Sequence, residues 1–281
     1  MPKPKKLVLT GAAGRLGGVL RAPLAGMCET LVSSDIAEGI DSLAPNESYV
    51  RADLADMDAV AAAVEGAEMV VHFGAVADEA PFEAILGPNI VGAYNIWEAA
   101  HRTGARRVVY ASSIHAVGMH LKSDGIGTDA PHRPDSFYGL SKCFTEDLAR
   151  LYWDRRGMEA VCLRICSASG EVTNARALGT WLSDADLVRL VARAVDTPAT
   201  GFAIAYGVSA NDRAPVGRSG GGFLGYVPQD NAEAFAERVL AKAPPADPAD
   251  PAEIRLGGPF CTVPLGESGT AHLGLGGDET D

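Results

Sequence analysis

Apolar residues along this chain follow two rhythms that alternate from the first strand onward. Short runs rich in branched residues read as buried strands: Lys6-Leu7-Val8-Leu9-Thr10, Thr30-Leu31-Val32-Ser33-Ser34, Ser48-Tyr49-Val50-Arg51, Met69-Val70-Val71-His72-Phe73, Arg107-Val108-Val109-Tyr110-Ala111 and Ala160-Val161-Cys162-Leu163-Arg164-Ile165. Between them apolar positions recur at helical spacing, through Leu20 and Leu24, from Met57 to Val64, from Phe82 to Thr103, and from Tyr138 through Leu148, Leu151 and Tyr152 to Gly157. Gly87-Pro88 predicts a break near the start of the third helix, because proline lacks an N–H and crowds the preceding turn. Alternation without internal repeats predicts an α/β fold, a doubly wound parallel sheet of Rossmann type with a small C-terminal substrate-binding region.

After Ser167 the pattern loosens. Ser183-Asp184-Ala185-Asp186 predicts a helix start ahead of Leu187, Val188, Val191 and Val195, and 201–208 reads as one more strand. Arg213 to Gly222 is glycine-rich and expected to be a mobile loop, and Gln229-Asp230-Asn231 opens a last helix to Leu240. From Pro244 the composition is that of a linker. The chain is expected to divide into a nucleotide-binding core over 1–165, a substrate-binding region over 166–260, and a flexible Gly-rich acidic tail over 261–281.

At 281 residues, 47% hydrophobic and 21% charged, the chain has room for one large domain with a sizeable core. No apolar run approaches the ~20 residues needed to span a bilayer, and the basic start leads straight into a strand. A cytoplasmic location is expected, with no membrane partner. The net charge of −12 argues against a nucleic-acid surface and obliges any anionic substrate to find local arginine. Five cysteines, odd in number and without Cys-x-x-Cys spacing, read as reduced thiols, not as a metal site or disulfide framework; Cys162 and Cys166 are expected to pack.

The first strand runs into Gly11-Ala12-Ala13-Gly14-Arg15-Leu16-Gly17 and then a helix, the context a dinucleotide-binding turn requires. Gly11 permits the tight turn, Gly14 lets backbone N–H groups approach a pyrophosphate, and Gly17 allows close helix packing on the sheet. Asp35 closes the second strand where a carboxylate accepts from a ribose 2′-hydroxyl and repels a 2′-phosphate, which favours NAD over NADP. Asp53, before Leu54, could reach the adenine amino group or simply open the next helix. Phe73-Gly74-Ala75 lies at the carboxyl end of the fourth strand, where ligands bind in open parallel sheets, and Ile165 ends the sixth. His72 reads as a core residue.

Tyr138 and Lys142 stand four apart on one helix, so phenol and ammonium share a face. A cation there is expected to bring the phenol pKa down from ~10 and make a base for an alcohol. Ser112-Ser113, ending the fifth strand, offers a hydroxyl to hold the reacting oxygen, or else an ordinary serine turn. The loop from Gly118 to Asp135 is long enough to shape a site.

Gly11-x-x-Gly14-x-x-Gly17, Ser112-Ser113 and Tyr138-x-x-x-Lys142 together resemble the extended short-chain dehydrogenase/reductase superfamily. Tyr138 to Arg150, Thr180 to Asp184, Tyr206 to Asp212 and Gly222 to Phe235 resemble its uronate dehydrogenase family. That resemblance implies NAD-dependent oxidation of glucuronate or galacturonate at C1 to an aldarolactone. Tyr138 would be the base, Lys142 would bind the nicotinamide ribose, and Ser113 would hold the hydroxyl. Arg15, Leu16, Leu54, Gly74 and Ser112 would add cofactor contacts, and Ile114, His115 and Ser167 would touch the sugar. Arg176 would grip the carboxylate, a role a planar guanidinium suits, although by sequence alone such an arginine is more often a solvated surface charge. The chain departs from the family pattern at Ile114, where an asparagine is expected, at Ala77, where a serine is, and in lacking tryptophans near 213–222. A nucleotide-sugar epimerase or dehydratase of the same fold and a non-catalytic NAD-binding sensor are the alternatives, and homo-oligomers are common for this fold.

Overall fold

The computed structural model describes residues 3–217, 221–245 and 247–272. Seven parallel strands form its sheet: β1 (Lys6–Thr10), β2 (Thr30–Asp35), β3 (Glu47–Arg51), β4 (Met69–His72), β5 (Arg107–Ser113), β6 (Glu159–Ile165) and β9 (Phe202–Gly207). Their order is β3-β2-β1-β4-β5-β6-β9. A second ribbon pairs the two-residue strands β7 (Ser167–Ala168) and β8 (Trp181–Leu182). The helices are α1 (Arg15–Met27), α2 (Met57–Val64), α3 (Phe82–Ile85), α4 (Gly92–Thr103), α5 (Phe137–Arg156), α6 (Ala177–Thr180) and α7 (Asp184–Asp196), with shorter turns toward the C-terminus.

Because side chains alternate along a strand, β1 sends Leu7 and Leu9 to one face and Val8 to the other. Leu7 and Leu9 join Leu20 and Leu24 of α1 and Leu187, Leu190 and Val191 of α7. Val8 joins Val60 of α2, Ile96 and Trp97 of α4 and Tyr152 of α5. Each face is thereby sealed by helices, and strand order reverses between β1 and β4. A ligand crevice opens at the carboxyl ends of strands flanking such a reversal.

Boundaries follow local chemistry. Asp56 caps α2 by accepting from the N–H groups of Asp58 and Ala59, and Ser183 caps α7 by accepting from Asp186. The Gly87-Pro88 break is a π-helical stretch, Leu86–Val91, which joins α3 to α4 without ending the helix. A wider turn absorbs the hydrogen bond that proline cannot make. The helix that Gln229-Asp230-Asn231 is expected to open does start there, capped by Asn231, as a 3₁₀ turn over Ala232–Phe235 that runs on as a helix over Ala236–Leu240.

The tail expected to be loose from 261 instead packs on the crevice as far as the described residues extend. Asp78 accepts from the Ser268 and Thr270 hydroxyls and from the N–H groups of Gly269 and Thr270. Glu79 accepts from Gly266 N–H at 2.9 Å and from Tyr138 N–H at 2.8 Å. Residues 273–281, and 218–220 within the loop expected to be mobile, lie outside the described residues.

Candidate active site

A cavity of about 300 Å³ opens at the carboxyl end of the sheet. Its wall brings together Arg15, Leu16, Phe73, Ala75, Ser112, Ser113, His115, Tyr138, Lys142, Ile165, Ser167 and Arg176, parts of the chain that sequence reading had to treat separately. The register of β5 on β6 sets Ser113 directly opposite Ile165.

The nucleotide side is built on backbone. Gly11 has φ +73°, and a Cβ there would stand 2.6 Å from Gly74 N, so the turn closes on the end of β4. A Cβ on Gly17 would lie 2.0 Å from Gly11 O, so this glycine packs α1 onto its own turn more than onto the sheet. At Gly14 a Cβ would meet only Gly11 O, at 3.5 Å, and α1 starts with no side-chain cap. Open space in front of uncapped N–H groups suits a pyrophosphate. Asp35 is pinned by the N–H groups of Ala13 at 3.0 Å and Ala37 at 3.2 Å, which leaves lone pairs for a ribose. These residues fit NAD. Asp53 accepts from Ala55 N–H at 2.9 Å ahead of α2, and Leu54 packs against Gly74 and Gly92. His72 is a core residue: it shares a hydrogen bond with Thr10 Oγ1 at 2.7 Å, and burial lowers its pKa to about 3.

Tyr138 and Lys142 sit on the first turns of α5, capped by Ser136, whose hydroxyl accepts from Gly139 N–H. Lys142 Nζ lies 5.2 Å from the Tyr138 ring centre and donates to Ala111 O at 2.8 Å. The expected lowering of the phenol pKa is not what this cleft produces. Burial raises Tyr138 to about 12, with the Ser113 hydroxyl pulling the other way by less. Burial also lowers Lys142 to about 7, so near neutrality it is a fractional charge and a weak partner. Desolvation disfavours both charged forms and is the largest cause of both shifts.

Arg176 projects from the N-terminal end of α6. Its Nη1 donates to Ser167 Oγ and its Nη2 to Leu256 O, both at 2.8 Å. Ser167 is also tied to Thr180 Oγ1 at 2.7 Å, so a closed ring of polar groups orients the fork. Arg176 Nε is buried without a partner, sealed by the backbone at Gly258. Among the described residues no carboxylate pairs with this guanidinium, and burial lowers its pKa. A buried cation without a counter-ion is costly, and two further Nη hydrogens remain for an anion.

The structure does not bring Ile114 into the site. Its side chain is buried in a cluster with Val117, Tyr206, Val208, Val216 and Leu256, because the 3₁₀ turn after β5 points it away from the crevice. Ala77 does line the cavity. Phe260, Thr270, Asn174 and Cys166 also line it and escaped sequence reading. Nothing local distinguishes Phe260 or Thr270, which reach the wall from linker-like sequence, and Cys166 lies just beyond the end of β6, so it serves as wall and not only as packing.

The model of the NAD dependent epimerase/dehydratase family matches residues 7–198. Uronate dehydrogenase of Pseudomonas putida is 46% identical over 259 residues, covering 92% of this chain and 96% of that protein. The crystal structure of uronate dehydrogenase from Agrobacterium tumefaciens superposes with a TM-score of 0.88 at 45% identity, over 93% of this chain and 98% of that one. A tyrosine-to-alanine variant of that enzyme, complexed with NAD, matches at TM-score 0.88, 44% identity and the same coverage.

Proposed function

The chain belongs to the NAD dependent epimerase/dehydratase family and, within it, to the uronate dehydrogenases, and from that membership we propose that it oxidises a hexuronate, glucuronate or galacturonate, at C1. The observation that carries the choice of substrate is Arg176, a half-buried guanidinium that among the described residues has no carboxylate partner, on the wall that also holds Tyr138. A uronate supplies the missing carboxylate.

The residues divide the work as follows. Gly11, Gly14 and the first turn of α1 hold the pyrophosphate, Asp35 the adenosine ribose, and Phe73, Ala75 and Ile165 flank the nicotinamide end. NAD, when bound, supplies a hydride acceptor at C1. Tyr138, once ionised, takes the proton of the anomeric hydroxyl, Ser113 orients that hydroxyl, and Lys142 holds the nicotinamide ribose and, in its protonated form, favours the phenolate. The ring-form hemiacetal thus loses a hydride and a proton and leaves as the aldarolactone. Ser167 and His115 hold other sugar groups. The segment 256–270 roofs the cleft, so the sugar region expected over 166–260 extends into the tail.

Seven large apolar side chains stand exposed on the helical faces of 82–94 and 140–151: Phe82, Leu86, Val91, Tyr94, Leu140, Phe144 and Leu151. A second copy presenting the same face about a two-fold axis would cover them. Five free thiols support a reducing, cytoplasmic setting.

The test is NADH formation from NAD with glucuronate, galacturonate and neutral glucose. Either uronate should give turnover, and Arg176→Ala should raise the uronate KM by about 100-fold or more, the loss of a buried charged hydrogen-bonded contact. Turnover of a nucleotide sugar with none of either uronate would favour the epimerase reading. Binding of NAD without turnover of any sugar would favour the sensor.

A further inference from the structure

His115 is held on three sides, and each constraint removes one freedom. Its ring stacks on Phe260 with centroids 3.8 Å apart and meets Tyr138 edge-on at 5.8 Å, which fixes the ring plane. A flip within that plane remains open. Asp135 closes it, with Oδ2 2.8 Å from His115 Nδ1.

That carboxylate is itself unusual in its setting. The Asp135 side chain has no exposed surface, and among the described residues no lysine or arginine forms an ion pair with it. Its other oxygen accepts from Ser136 Oγ at 2.7 Å. Three separate parts of the chain make room for it. A Cβ on Gly118 would stand 1.7 Å from Asp135 Oδ2 and one on Gly257 1.8 Å from the same atom, while one on Gly139 would meet His115 O at 2.4 Å and then Asp135 Oδ1 at 3.1 Å. None of the three glycines has a positive φ, so their lack of a side chain serves space, around the carboxylate at Gly118 and Gly257 and around the His115 backbone as well at Gly139, and not backbone conformation. Burying a carboxylate costs free energy that an apolar side chain of similar size would not.

We propose that Asp135 is a positioning residue that fixes the His115 tautomer and ring orientation, so that Nε2 offers a lone pair to a ring hydroxyl of the sugar. The proposal rests on the uronate reading above. With Asp135 as the acceptor of the Nδ1–Oδ2 bond, Nδ1 carries the proton. In the neutral imidazole Nε2 is then the acceptor. Among the described residues the one side-chain hydrogen bond of His115 is that of Nδ1 to Asp135, and the residue forms part of the cavity wall. A site with a lone pair fixed in space reads whether a hydroxyl is present and which way it points, so Asp135 acts on sugar discrimination without touching sugar.

The test compares the parent enzyme with Asp135→Asn, His115→Gln and the double variant. The substrates are glucuronate and analogues each lacking one ring hydroxyl, at saturating NAD, and the ring tautomer is read from ¹⁵N shifts of labelled histidine. Asp135→Asn is expected to raise the glucuronate KM about tenfold and leave the NAD KM unchanged. For the one analogue lacking the hydroxyl that His115 binds, parent and variant should have equal KM. In the His115→Gln background, where an amide oxygen accepts unaided, Asp135→Asn should add nothing. With His115 present, the Ser136 hydroxyl that donates to Oδ1 holds the amide oxygen of Asp135→Asn there and turns its NH₂ toward Nδ1, so the proton should move from Nδ1 to Nε2. Equal KM increases for every analogue, an additive effect on His115→Gln, or an unchanged tautomer would overturn the proposal. Should Asp135→Asn not fold, the parent must still show the Nδ1–H tautomer and His115→Gln must alter discrimination at a single hydroxyl; failure of either overturns it. A parent that oxidises no uronate sinks the functional reading instead, while the ¹⁵N shifts still judge the ring.

Discussion

Lys142 in an unfolded chain stays charged to about pH ~10, but in the cleft burial lowers its pKa to about 7. Between those values the unfolded chain holds a proton that the folded one lacks, so stability rises with pH across the window and the full cost is present below its lower edge. Lys142→Met should therefore raise the thermal midpoint more at pH 6 than at pH 9, while turnover is lost. A midpoint shift independent of pH would show that the ammonium is not strained. The same burial raises Tyr138, so the free cleft is not the ready base that a Tyr-x-x-x-Lys spacing suggests. The pairing of these two residues on one helical face was legible in the sequence. The sign of the phenol shift was not, since it depends on Phe260, Ile85 and other residues that come together only in the fold.

Elements with strong local signals sit where pattern and capping put them. β1, β2 and α2 need only alternation or an Asx cap, and Ser183 starts α7 as its sequence suggests. Elements that depend on distant partners were opaque. The crevice roof is fastened by Asp78, nearly 200 residues from the Ser268 and Thr270 hydroxyls it accepts, and no window of sequence holds both ends. Burial alone would raise the Asp78 pKa, yet those hydroxyls and the Glu79 and Thr270 N–H groups lower it. The stability it contributes is thus present above the unfolded carboxylate value of ~4 and lost as pH falls through the lower folded one. Asp78→Ala should speed hydrogen exchange over 262–272 and raise the uronate KM by about tenfold, since its four contacts to that segment go at once. Unchanged exchange in the variant would mean that Phe260 packing alone holds the segment.

At the scale of the molecule, a sheet sealed on both faces leaves one crevice at the reversal between β1 and β4, and both the glycine turn and the Tyr138 helix open onto it. Sequence alternation was enough to draw that sheet, including the late strand β9 beside β6. It was not enough to show that the C-terminal segment belongs to the site, because linker-like composition says nothing about what such a segment covers. The net charge of −12 repels an anionic sugar in general, so the proposed function assigns the sugar carboxylate to a cation of the cavity wall, Arg176. The apolar face on 82–94 and 140–151 carries the expectation of a homo-oligomer. Light scattering should report at least a dimer for the parent, and paired Tyr94→Glu and Leu151→Glu substitutions should shift it toward monomer. A monomeric parent would leave that face unexplained.

The central claim is that the Tyr138 phenol removes the sugar proton. Its most direct measurement is the rate of NADH formation by Tyr138→Phe with saturating NAD and uronate, alongside NAD affinity in the same preparation. Loss of general-base catalysis predicts a kcat about 10²- to 10⁴-fold below the parent with NAD affinity retained. A Tyr138→Phe enzyme that binds NAD as the parent does and forms NADH within a few-fold of its rate would contradict the account.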